Sequence, residues 1–179
     1  MSKPKQILIC GLGGQGVVLA GNILGQAAIN DKKWVSGSNA YGSQARGGIT
    51  RSEVVISEEP IMFPHIIKAD ILVALSQSAY DKYVSEINVE EGSVVYDKSA
   101  VKPDRTTRIQ QFAIAAVDES IRQLKNEQVA NIVILGGLVT VTGIVQFQSL
   151  VQAVQQKVPE KFLEINVKAI ELGRQLGEA

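Results

Sequence analysis

Apolar positions follow two rhythms along this chain. In the first half, short β-branched or Leu-rich runs alternate with stretches whose apolar residues recur every three or four positions. Gln6 to Cys10 is the first run and predicts a buried strand. Gly11 to Gly14 reads as a turn, and Gln15 to Asn30, apolar at 17, 18, 20, 23, 24, 27 and 28, predicts a helix. Lys33 to Ser36 predicts a second strand, and Gly37 to Gly48, with little periodicity, a loop. Strands are expected over Ile49–Ser57, which alternates, and over Asp70–Ser76, Ser93–Asp97 and Thr106–Gln110, with a helix over Ala79–Ile87. From Phe112 onward the spacing is helical: Phe112–Lys125, Val129–Val145 (apolar nearly all round), Ser149–Gln156 behind a Ser N-cap, and Pro159–Leu176. Alternation early and helices late predict an α/β fold: Rossmann-like, a mainly parallel sheet flanked by helices, with a helical C-terminal third.

Composition narrows this picture. At 179 residues, without repeats or linkers, one domain over residues 1–179 is expected. Eighteen basic and eighteen acidic residues cancel, so the totals carry no footprint for nucleic acid or an anionic membrane. Zero net charge also removes the repulsion that keeps proteins apart, which favours life in a complex. Cys10 is the only cysteine, so an intrachain disulfide, an iron–sulfur cluster or a Cys-rich zinc site cannot be built. The basic start leads into a short strand and a glycine turn, not into a signal peptide. Val129–Val145 is too short and too rich in Gly, Thr and Asn for a membrane span. The expected compartment is the reducing cytoplasm.

Two glycine-rich stretches carry the candidate chemistry. Gly11-Leu12-Gly13-Gly14-Gln15-Gly16 fits the G-x-G-x-x-G turn, which brings a phosphate close to a helix N-terminus. That motif also needs an acidic residue at the end of the next strand to hold ribose hydroxyls. Here the strand end reads Trp34-Val35-Ser36-Gly37-Ser38, and Asp31 precedes the strand, at the wrong end of the sheet. A dinucleotide site is therefore half missing. The alternatives left open are a phosphate-bearing ligand at the helix end, or a tight turn packed on the sheet or a neighbouring chain. The second stretch, Asn39 to Ser52, combines Tyr41, Arg46 and Arg51 with Gly42, Gly47 and Gly48. Arg forks onto phosphate or carboxylate, and Tyr with Arg is favoured at protein interfaces. In a doubly wound fold this loop lies on the same carboxyl edge of the sheet as the first turn, the edge where ligands bind.

The pair "GLGGQGV" and "YGSQARGG…S.VVIS" resembles the gamma subunit, or gamma domain, of 2-oxoacid:ferredoxin oxidoreductases. The resemblance continues through "ADILVALSQSAYDKY", "VANIVILGGLVTVTG" and "EINVKAIELG", and so covers nearly the whole chain. Members usually carry Pro-Glu and a variable residue where this chain has Ser43-Gln44-Ala45. A free-standing chain of this length without a cysteine-rich tail looks most like the 2-oxoglutarate type.

The resemblance implies one subunit of an enzyme that oxidatively decarboxylates a 2-oxoacid with coenzyme A, yielding acyl-CoA, carbon dioxide and reduced ferredoxin. It implies thiamine diphosphate, Mg and iron–sulfur clusters in companion chains: thiamine-binding alpha and beta subunits and a ferredoxin-like subunit. It implies no catalytic residue and no metal ligand in this chain. Gly11, Gly13, Gly14, Gln15, Gly16, Tyr41, Gly42, Arg46, Gly47 and Gly48 would form an edge that faces those subunits or coenzyme A, with Arg46 the contact for an anionic group. Asp70 and Asn131 are expected to make structural hydrogen bonds. His65, after Pro64 in a loop, reads as a surface residue. A homodimer is open for the chain by itself. The competing readings are a stand-alone Rossmann-like dehydrogenase and a non-catalytic nucleotide-sensing protein.

Overall fold

The computed structural model describes residues 3–41, 48–104, 106 and 108–179. Six strands form one sheet: β1 (Lys5–Leu12), β2 (Trp34–Tyr41), β3 (Ile49–Ser57), β4 (Ile71–Ala74), β5 (Ser93–Asp97) and β6 (Gln110–Ile114). Their order is β2-β3-β1-β4-β5-β6. β1, β4, β5 and β6 pair in parallel, while β3 is antiparallel to both β1 and β2. β2 therefore runs in the sense of β1, and the mainly parallel sheet is mixed through one inserted strand.

The pleat sorts the strand residues onto two cores. Ile7 and Ile9 of β1, Val54 and Ile56 of β3 and Val73 of β4 join the helices α1 (Val17–Asn30), α3 (Ala116–Leu124), α4 (Ala130–Thr142), α5 (Phe147–Lys157) and α6 (Leu163–Glu178) on one face. Leu8 and Cys10 of β1, with Leu72 and Ala74 of β4, meet Tyr80 and Tyr83 of the short helix α2 (Gln77–Tyr83) on the other. α4 is the hub of the thicker side, and its first ten residues are all buried. It packs on α6 through glycines: a Cβ at Gly136 would collide with the Ile170 carbonyl oxygen. At Gly173 the clash would be with the Val133 carbonyl oxygen. Backbone touches backbone there, which no other residue permits.

Buried polar groups tie the strand ends. Asp70 Oδ2 accepts from Gln6 N at 2.8 Å, and the Asp70 N–H donates to Gln6 O at 2.7 Å. Asp97, fully buried, accepts from Ser99 N (2.9 Å), Ser99 Oγ (2.6 Å) and Ala100 N (3.0 Å) through Oδ1. Its Oδ2 accepts from Val117 N at the start of α3, at 2.8 Å. A carboxylate at a helix N-terminus is favourable, and this one anchors α3 to the end of β5.

Several elements differ from the periodicity reading. The second strand does not stop at Ser36; β2 continues to Tyr41, because Gly37 to Tyr41 pair with Val54 to Thr50 of β3. The stretch has almost no apolar signal of its own, so backbone pairing alone makes it a strand. The last strand is Gln110–Ile114 rather than Thr106–Gln110, and the helix after it begins at Ala116 rather than Phe112. A short apolar run such as Phe112 to Val117 fits strand or helix equally, and parallel pairing with β5 decides for strand. α5 begins at Phe147 behind Gln146, so Ser149 lies inside the helix, buried, and is not its cap. Pro159 precedes a 3₁₀ turn, Glu160–Phe162, that leads into α6.

The glycine contact between α4 and α6 gives a direct test. Gly173→Ala forces a methyl into the Val133 carbonyl and should lower unfolding free energy by about 1–3 kcal/mol, the usual cost of overpacking. Gly14→Ala, with open space around the new methyl, should be limited to the strain of a positive φ. Urea denaturation monitored by circular dichroism measures both.

Candidate functional site

The first glycine turn and the described ends of the second glycine-rich stretch share one edge. Leu12, the last residue of β1, lies opposite Ile49, the first of β3, and Tyr41, the last of β2, lies opposite Thr50. β1 and β2 thus end where β3 begins, so Tyr41 and Gly48, which flank residues 42–47, lie on the side of the sheet where the first turn lies. Gly13 N donates to Gly48 O at 2.8 Å, fastening the turn to that connection. Gly42, Arg46 and Gly47 lie outside the described residues.

The glycines of the first turn divide by task. Gly11 is buried, and a Cβ there would stand 2.7 Å from Gln15 Oε1 and 3.0 Å from Leu75 Cβ. Gly16 precedes α1 with φ 71°, and a Cβ would collide with Asn131 Nδ2. Gly13 and Gly14 are exposed, and a methyl added at Gly14 (φ 99°) would have nothing within 4 Å. Gly11 and Gly16 are glycine because the interior crowds them, whereas Gly13 and Gly14 form the bare rim.

Gln15 is the clamp of this turn. Its Oε1 accepts from Leu12 N at 2.6 Å, and its Nε2 donates to Leu75 O, just beyond β4, at 3.0 Å. The side chain placed by motif among the ligand-facing residues is thus committed to holding the ends of β1 and β4 together. Asn131, buried at the start of α4, donates from Nδ2 to Gly16 O at 3.1 Å. Its role is the structural one expected of it, as is that of Asp70. No local signal marks Gln15 and Asn131 as a pair bracing the turn from opposite sides, since they are far apart in sequence.

Electrostatics at the edge favour an anion. No side chain among the described residues caps α1, and its first turn holds no acidic residue. The N–H groups and the positive end of the helix dipole therefore stand without a carboxylate. A small cavity of about 140 Å³ opens here between Gly14, Gln15, Leu75, Val117 and Asn131. Pockets that enclose small ligands run to roughly 300–1,000 Å³, so this one cannot swallow a dinucleotide. The position that would hold a ribose-binding carboxylate is also occupied differently. The strand next to β1 on that side is the antiparallel β3, which presents Ile49 and Thr50 opposite Leu12 and Gly11.

Other candidates fall away from the edge. Arg51 is turned under the sheet: it pairs with Glu53 at 2.8 Å and Glu86 at 3.5 Å and lies over the Tyr83 ring. His65 is exposed in a loop, its ring against Phe63. Asp31 accepts from Gln146 N at the start of α5. Cys10 is fully buried, and burial, helped by the charge of Glu86, pushes its thiol up to about 12. Among the described residues no three His, Cys, Asp or Glu side chains gather as a metal site, and no helix is long and apolar enough to cross a membrane.

Comparison with known proteins agrees with this geometry. Residues 6–176 match the pyruvate ferredoxin/flavodoxin oxidoreductase family. The 2-oxoglutarate synthase subunit KorC of Methanocaldococcus jannaschii is 43% identical over 177 residues, 97% of this chain and 94% of that one. The crystal structure of a keto/oxoacid ferredoxin oxidoreductase gamma subunit from Geobacter sulfurreducens superposes with a TM-score of 0.86 at 34% identity, covering 99% of this chain and 98% of that one. A 2-oxoglutarate:ferredoxin oxidoreductase from Magnetococcus marinus, with 2-oxoglutarate, coenzyme A and succinyl-CoA bound, also has a TM-score of 0.86, at 23% identity. It shares the fold, and this chain spans 32% of its length.

Two measurements test the site as built. Gly16→Ala should destabilise the fold, and adding Asn131→Ala should recover part of the loss, giving a non-additive double-mutant cycle in denaturation. Independent additive costs would contradict the packing of Asn131 on Gly16. Iodoacetamide at pH 8 should leave Cys10 unlabelled in the native protein and label it fully in denaturant, because a buried thiol far above its usual pKa offers almost no thiolate; mass spectrometry reads the outcome.

Proposed function

The chain belongs to the pyruvate ferredoxin/flavodoxin oxidoreductase family and is a gamma subunit of a 2-oxoacid:ferredoxin oxidoreductase, and from that premise we propose that its enzyme uses 2-oxoglutarate and that its carboxyl edge meets the companion subunits and coenzyme A. A subunit of a multi-subunit oxidoreductase works with other chains. The companions proposed here are thiamine-binding alpha and beta subunits and a ferredoxin-like iron–sulfur subunit, with residues 1–179 acting as one gamma-type domain. Full-length identity to a 2-oxoglutarate synthase subunit supports the substrate.

The reaction then breaks the bond between the carboxyl and oxo carbons of the 2-oxoacid. Carbon dioxide leaves, the two electrons released pass to ferredoxin, and the acyl group joins the sulfur of coenzyme A, whose thiol proton is released. Thiamine diphosphate with magnesium supplies the carbanion chemistry, and iron–sulfur clusters carry the electrons, in the companion chains. This chain's own share is a rigid, bare-backbone rim that covers the reacting centre and keeps water from it.

One observation carries the reading: the Gly13–Gly48 hydrogen bond at 2.8 Å fuses two glycine loops beside an uncapped helix end. The rim can approach a flat surface or a pyrophosphate closely, yet holds no carboxylate for a nucleotide ribose. Gly13, Gly14, Gly48 and the exposed Tyr41 present it, and Gly42, Arg46 and Gly47 belong to the same connection. Gly11, Gln15 and Gly16 serve it from behind.

The assembled enzyme tests both parts. Turnover should be highest with 2-oxoglutarate against pyruvate and 2-oxoisovalerate; a preference for either of those would overturn the substrate. Arg46→Ala should raise KM for coenzyme A roughly tenfold or more, the loss of a hydrogen bond to a charged group. Unchanged KM together with unchanged assembly would remove the edge from coenzyme A and partners alike.

A further inference from the structure

We infer that β2 is a docking edge for a second copy of this chain, which adds its own β2 antiparallel about a two-fold axis at Gly37 and extends the sheet from six strands to twelve. β2 borders the sheet, and on one side nothing pairs with it among the described residues. It is eight residues long, Trp34-Val-Ser-Gly-Ser-Asn-Ala-Tyr41, and holds no charge and no proline. It pairs with β3 residue for residue, so no bulge twists it away. Folded proteins blunt free edges with charges, prolines or bulges, because an open row of N–H and C=O groups recruits any strand that meets it. An edge with none of these devices is built to be covered.

The strand's sequence favours itself as the cover. A two-fold axis perpendicular to the sheet keeps each side chain on its own face, so paired residues must share a face. Centring the axis on Gly37 places Trp34 opposite Ala40, Val35 opposite Asn39, and Ser36 opposite Ser38. The bulkiest exposed side chain, Trp34 at 54%, thereby meets the smallest one that has a Cβ, while the hydroxyls of Ser36 and Ser38, which donate to Pro64 O and Glu53 Oε2 of their own chain, face each other as small side chains. No ion of either sign is brought against its twin, and the chain's net charge of zero adds no repulsion. On the α1 side a groove of about 360 Å³ runs beside the edge, lined by Gly21, Asn22, Gly25 and Gln26. There the partner's Asn39 finds amide donors and acceptors. On the other face Ser36 Oγ donates to Pro64 O, in a loop whose Met62, Phe63 and Ile67 are exposed.

Gly37 offers a clean handle. Its backbone is outside the left-handed region, and a Cβ would find only Glu53 O at 3.6 Å, so side chains fit there without unfolding the strand. Sedimentation velocity of the 179-residue chain should show a dimer across the micromolar range. Gly37→Lys and Gly37→Asp should each be monomeric, since like charges then face each other at the axis, and an equimolar mixture of the two should sediment as a dimer again. Gly37→Cys should form an intermolecular disulfide on oxidation, because opposed antiparallel residues lie about 4.5–5.5 Å apart at Cα and Cys10 is out of reach in the core. A monomeric wild type, a dimeric Gly37→Lys, or no cross-link would overturn the proposal. So would a monomer that binds its companion chains through this edge, seen as failed assembly of Gly37→Lys. The test does not involve coenzyme A, so it stands or falls apart from the carboxyl-edge reading.

Discussion

Everything at the candidate site follows from one strand running the other way. β3 lies between β1 and β2, antiparallel to both. β2 must then end, and β3 begin, beside the turn that ends β1, and the Gly13–Gly48 bond ties that turn to the start of β3. In a doubly wound nucleotide binder the neighbour of β1 is parallel and delivers a carboxylate at its C-terminal end. Here the same place is the start of a strand. The insertion therefore removes a ribose site and, by the same stroke, builds a bare surface beside a positive helix end.

The rim depends on groups that never reach a ligand. Gln15 commits both ends of its amide to Leu12 and Leu75, and Asn131 commits its N–H₂ to Gly16. Each satisfies a backbone group that the sharp turn would otherwise strand, and a buried unpaired polar group costs about 1–3 kcal/mol. Four glycines in six residues thus answer to two different demands. Two admit neighbouring side chains, and two leave main chain exposed.

Charge follows the same division. Arg51, Glu53 and Glu86 form a chain of ion pairs under the sheet, covered by α2 and half shielded from solvent. Their work is to hold the thinner layer, which among the described residues has the short helix α2 and a 3₁₀ turn over Val84–Glu86, against β1 and β3. The borders carry no charge at Gly13 and Gly14 beside β1 or along all eight residues of β2.

Ile49–Ser57 and Ser93–Asp97 were legible to the residue, and the buried α4 to within a few residues of its ends, because local apolar rhythm reports which face of an element is covered. The family resemblance was legible for the same reason, its motifs being short runs of fixed local geometry. What needed the folded chain was pairing. Gly37 to Tyr41 and Phe112 to Ile114 are strands only because β3 and β5 lie beside them. Likewise, Gln15 and Asn131 brace a turn only because Leu75 and Gly16 are brought to them. Periodicity records contact with the core at large, whereas hydrogen bonds between distant segments leave no repeating trace, so sequence by itself determined the layers of this protein and tertiary structure alone decided the antiparallel insertion that makes its edge.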